Sequence, residues 1–104
     1  MRLFPPNSPR DVPIRTTVIV TALGTDSHGL LAQVATTIAE QNANVDDVSQ
    51  TVANGMFTMI MFVSFDQGET TIAELKNALE ATGDRIGLQI SVQHENIFKF
   101  MHRI

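Results

Sequence analysis

A chain of 104 residues has room for one hydrophobic core but not two, and 43% hydrophobic with 17% charged residues is the balance of a globular protein rather than a disordered one. A net charge of −4, with Lys76 and Lys99 as the lysines and no basic run, argues against nucleic acid as a direct partner. The absence of cysteine removes disulfides, thiolate catalysis and Cys-containing zinc sites, and no apolar run approaches membrane-spanning length, so a cytoplasmic protein without membrane contact is expected.

Residues 1–13 hold all four prolines (Pro5, Pro6, Pro9, Pro13) and read as an extended arm before a single domain over 14–104. Arg15 to Leu23 has the β-branched composition of a strand. After the polar turn Gly24-Thr25-Asp26-Ser27-His28, a helix from about Gly29 to Gln41 places Leu30, Leu31, Val34, Ala35 and Ile38 at helical spacing. Asn42-Ala43-Asn44 returns the chain to a second strand, Val45 to Val52, whose Asp46-Asp47 pair breaks alternation and predicts a bulge. Asn54-Gly55 is a strong hairpin signal. The third strand, Met56 to Phe65, is largely apolar on both faces, which predicts a central strand covered on both sides.

Thr70 or Thr71 is placed to cap a second helix with Ile72, Leu75 and Leu79 as its apolar stripe. Thr82-Gly83-Asp84 is expected to end it, with glycine as a left-handed cap. Ile86 to His94 alternates cleanly and predicts an edge or one-sided strand. Ile97, Phe98, Phe100, Met101 and Ile104 then recur at near-helical spacing, as a short terminal helix. The order βαββαβ fits an α+β, ferredoxin-like sandwich: a four-stranded antiparallel sheet with both helices on one face and strands one and three central. Its bare face and the terminal segment need a cover, and a homodimer supplies one.

Within this order, Gly24-x-Asp26-x-x-Gly29-Leu30, the helix ending Ile38-Ala39-Glu40 and the block Asn44-Val45-Asp46-Asp47-Val48-Ser49-Gln50 resemble the signature of the ACT domain. The likeness is to stand-alone single-ACT proteins and, more distantly, to glycine-cleavage repressor-like regulators. It covers about 14–104. The resemblance implies a regulatory module that binds an amino acid or related small molecule at a subunit interface and acts on a partner enzyme or regulator. It points to Gly24, Asp26, His28, Gly29, Leu30 and Asn44 as the ligand-binding set.

The chemistry of those residues is consistent with that role. Amides at a helix start beside the positive end of its dipole suit a carboxylate, Asp26 can accept from an ammonium, and Asn44 offers both a donor and an acceptor. Each also has a plainer reading. Asp26 or Ser27 serves equally as a helix N-cap, Gly29 as a close-packing glycine, Asn44 as a turn residue and His28 as an exposed one. Asp26-Ser27-His28 is not a catalytic triad, since adjacent residues of one turn do not relay hydrogen bonds. Asp46 and Asp47 could join His28 at a hard metal ion only if the bulge turned both to one side, so no metal is expected. With no nucleophile, paired acid and base, or cofactor fingerprint, an enzyme is the weakest reading. The alternative to a sensor is a ligand-free interaction and dimerisation module of the same fold.

Overall fold

The computed structural model describes residues 14–97. The proline-rich arm and the terminal apolar positions Phe98, Phe100, Met101 and Ile104 lie outside the described residues. The elements follow in the expected order: β1 (Arg15–Thr25), α1 (Leu30–Glu40), β2 (Asn44–Ala53), β3 (Met56–Asp66), α2 (Ile72–Ile86) and β4 (Leu88–His94). Helical backbone resumes at residues 95–97. The strands pair antiparallel in the order β2-β3-β1-β4, so β1 and β3 are central, as a ferredoxin-like sheet requires.

Period-two alternation sends Val18, Val20 and Ala22 of β1, Phe57, Met59, Met61 and Val63 of β3, and Leu88, Ile90 and Val92 of β4 into one core. The helices close that core with matching stripes. Leu30, Val34, Thr37 and Ile38 are the buried residues of α1, and Leu75, Leu79, Thr82 and Gly83 those of α2. Each stripe carries threonine seven residues after its first leucine, and the two threonines meet. Thr37 Oγ1 donates to the Gln33 carbonyl at 3.1 Å, which leaves Thr82 to donate to Thr37 Oγ1 at 2.6 Å. The pair satisfies two buried hydroxyls at the helix–helix contact, which each would otherwise leave desolvated at a cost.

The hairpin between β2 and β3 is a two-residue turn with φ of 53° at Asn54 and 77° at Gly55, the all-positive geometry that Asn-Gly favours. The β2 bulge lies where the paired aspartates predicted it, between Val45 and Asp47 in the pairing with β3.

Three expectations are corrected. β3 is central, but among the described residues its second face is not covered: Ile60 and Phe62 are each 37% exposed. Both helices lie against the other side. α2 does not stop at Gly83; it continues to Ile86, and the left-handed cap is Gly87, with φ of 78°. Gly83 serves packing instead, since a Cβ there would lie 2.5 Å from the Leu88 carbonyl oxygen. Gly24 is not a turn residue either. β1 runs on to Thr25, with Gly24 paired between Phe57 and Leu88.

A Cβ on Gly24 would lie 2.5 Å from the Gly87 carbonyl oxygen and 2.7 Å from Leu88 Cδ2, so glycine is what lets the α2–β4 junction close on β1. Because backbone is the obstacle, Gly24→Ala should lower unfolding free energy by about 1–3 kcal/mol, the usual range for overpacking. Urea unfolding followed by circular dichroism checks this; an unchanged midpoint would mean that the junction has slack.

Candidate functional site

The turn between β1 and α1 is held by one backbone bond, from the Asp26 amide to the Gly55 carbonyl at 2.9 Å. It fastens the start of α1 to the tip of the β2–β3 hairpin. Gly29 then enters the helix as its N-cap in the left-handed region, φ 78°, with no side-chain capping bond. This corrects the expectation that Asp26 or Ser27 caps the helix. It also replaces the packing reason for Gly29 with a conformational one, since nothing lies within 4 Å of where its Cβ would be.

The two helix starts differ in how they are satisfied. At α2, the Thr71 hydroxyl accepts from the Glu74 amide at 3.1 Å, Glu74 supplies a carboxylate in the first turn, and Thr70 Oγ1 donates to that carboxylate at 3.2 Å. At α1 there is neither a capping side chain nor an acidic residue in the first turn. Its leading amides have no acceptor within the helix and stand at the positive end of the dipole.

Those amides open into a cleft of about 220 Å³ lined by Asp26, Ser27, Gly29, Leu30, Leu31, Ala32, Gln50, Val52 and Phe57. Phe57, 4% exposed, forms its floor, and Leu30, 3% exposed, anchors the first turn of α1 in the core. Gln50 and Val52 reach it because they alternate on β2 and pair with Met59 and Phe57, on the helix side of the sheet. β2 is an edge strand exposed along its whole length, so the cleft is open on that side. The arrangement offers backbone donors for an anionic group, the Asp26 carboxylate for a cationic one, the Gln50 amide for either, and an apolar wall.

Of the residues singled out from sequence, Asp26, Gly29 and Leu30 line this cleft together. Gly24 sits behind it in the sheet, and His28 is exposed on the turn without lining it. Asn44 pairs with Ser64 at the far end of β2, eight residues before Val52 and so roughly 25 Å away along the strand. His28 is likewise remote from Asp46 and Asp47, and Asp47 Oδ1 accepts from the Val48 amide at 2.9 Å. Among the described residues no group of three or more His, Asp or Glu side chains is placed to hold a metal ion. Gln50, Val52 and Phe57 were not singled out. The signal available was the Asn-Gly hairpin, which sets Val52 opposite Phe57 and brings both beside the turn.

The model of the ACT domain matches residues 16–93. A UPF0237 protein of Methanocaldococcus jannaschii is 45% identical over 87 residues, covering 84% of this chain and 97% of the relative. Among solved structures, an ACT domain protein from Streptococcus pneumoniae is similar at a TM-score of 0.70 and 36% identity, over 81% of this chain and 94% of that one. A glycine cleavage system transcriptional repressor-like protein is similar at a TM-score of 0.69 over 77% of this chain and 46% of that one. At 21% identity this last likeness concerns the fold alone.

The positive φ of Gly29 makes its own prediction. Although a methyl group there meets open space, Gly29→Ala should cost about 1 kcal/mol because an L-residue is strained in that region. Parallel urea titrations check it, with Gly29→Asn recovering part of the loss; equal stability of Gly29→Ala and the parent chain would contradict it.

Proposed function

This chain belongs to the ACT domain family, and from that membership we propose that it is a regulatory module holding an α-amino acid or a close relative in the cleft at the start of α1. The observation that carries the reading is the uncapped α1 N-terminus opening beside Asp26. The ligand carboxylate takes the leading amides of α1, and its ammonium faces Asp26, so that neither charge is desolvated without a partner. About 220 Å³ falls below the roughly 300–1,000 Å³ of drug-sized sites, which favours a small metabolite.

The open side of the cleft gives the proposal its oligomeric form. Val45, Val48 and Val52 are exposed on the helix side of β2, and β2 is an edge with unpaired backbone groups. Two copies joined antiparallel along β2, about a twofold axis near Val48 and Ser49, would set Asn44 of the second copy close to Ala53 and Val52 of the first. Asn44, remote within one chain, would then complete the cleft between chains. Ligand held by both copies binds the paired state better than the single one, and it changes what a partner enzyme or regulator meets by that difference in affinity.

Thermal-shift and calorimetric titration with the common amino acids tests the reading, with sedimentation read on the same samples. At least one amino acid should raise the melting temperature and the dimer fraction together. Asp26→Ala should weaken its binding by about tenfold or more, as loss of a hydrogen bond to a charged group does, and Asn44→Ala should weaken both binding and pairing. No stabilising amino acid, or an undiminished response in Asp26→Ala, would leave the fold as an interaction module without a ligand.

A further inference from the structure

The two edge strands of the sheet differ. β2 carries Asp46 and Asp47 and a bulge between Val45 and Asp47. β4 reads Leu88-Gln89-Ile90-Ser91-Val92-Gln93-His94, with no lysine, proline, aspartate or glutamate, and pairs with β1 along its whole length without a register shift. It therefore lacks the devices that keep a strand edge from being extended. Among the described residues β1 is its one neighbouring strand, so alternate backbone groups along its outer side are not used by the sheet. A groove of about 340 Å³ follows that outer side. It is lined by Leu88 and Ile90, which point to the helices, and also by Gln89, which points to the other face, so it opens at the edge of the strand. Glu80 and Asp84, one turn apart on α2, form its other wall. Both are exposed, and among the described residues neither carboxylate makes an ion pair or a hydrogen bond. Lys76, one turn before Glu80, bounds the acidic stretch without pairing with it.

We propose that the β4 edge receives an extended segment of another protein, added to the sheet as a further strand, with lysine or arginine at alternate positions on the helix side. The backbone ladder supplies the contact, and the two carboxylates choose the occupant. The spacings agree. Carboxylates four residues apart on a helix are separated by about 6 Å along its axis. Residues i and i+2 of an added strand, which share one side, are separated by about 6.7 Å. Two successive helix-side cations of the segment therefore meet Asp84 and Glu80 in turn. A second copy of this chain does not fit that description. Neither β4 nor β2 contains lysine or arginine, and β2 would set Asp46 and Asp47 beside the same acidic wall. The surface lies at the opposite edge of the sheet from the cleft at the start of α1, so each is tested without the other.

The probe is a fluorescein-labelled heptapeptide of alternating threonine and lysine, titrated with the full chain and followed by anisotropy. It should bind saturably. An analogue with glutamate in place of lysine should bind about tenfold more weakly or worse. So should an analogue methylated at its amide nitrogens, which keeps the charge but cannot donate to a ladder. Glu80→Gln with Asp84→Asn, both at exposed positions, should weaken the lysine peptide by about fivefold, the scale of two exposed ion pairs, and flatten its salt dependence. In isotopically labelled protein the amide resonances of residues 88–92 should move with peptide. Equal affinity for the lysine, glutamate and methylated peptides would overturn the proposal, as would undiminished binding to the double variant. Shifts along residues 46–52 in place of 88–92, or no saturable binding at about millimolar protein, would overturn it as well.

Discussion

The bond from the Asp26 amide to the Gly55 carbonyl is the constraint on which the rest of this molecule's functional end depends. It joins the two turns that leave one end of the sheet, the β1–α1 connection and the β2–β3 hairpin, and so fixes where the first helix begins. Directly behind it, the last pair of the β1–β3 ladder is Thr25 with Met56. Gly24, one residue earlier, lets the α2–β4 junction press against β1 from the other side. With the turn held from both directions, Gly29 can take a left-handed conformation that points the first helical amides away from any side-chain cap and toward Phe57, Gln50 and Val52. The cleft is thus a product of ladder register and one positive φ.

The parts of the fold legible in the sequence are those governed by local rules. Apolar spacing placed both helices, Asn54-Gly55 placed the hairpin, and Asp46-Asp47 placed the bulge, because each depends on residues within a few positions of one another. The errors arose where one residue type serves two purposes. Gly83 looked like a helix cap but is a close-approach residue inside α2, while Gly87, four positions later, takes the left-handed cap. The apolar second face of β3 looked like burial between two layers, whereas among the described residues Ser64 is buried on that face of β3 and Ile19 on that face of β1, while Ile60 and Phe62 stay 37% exposed. For the site, Asp26, Gly29 and Leu30 were readable because they share one turn. Gln50, Val52 and Phe57 were not, because only the ladder register brings them to it.

The asymmetry between the two helix starts connects the fold to regulation. α2 satisfies its own first turn through Thr71, Glu74 and Thr70. α1 leaves its first turn unsatisfied by side chains, at the end of the sheet where Gln50 and Val52 of the edge strand β2 border the cleft. On the proposed reading, a ligand held there would sit at a boundary that a second chain completes, which would couple occupancy to assembly.

The central claim is that ligand is held by the first amides of α1 beside Asp26. A titration of isotopically labelled protein with individual α-amino acids, followed through its backbone amide resonances, tests it most directly. The account predicts saturable shifts concentrated at Asp26, Gly29, Leu30, Leu31 and Ala32, accompanied by shifts at Asn44 as the second copy completes the site. Shifts confined to Thr21, Thr58 and Ser91 on the opposite face, or none with any amino acid, would contradict it.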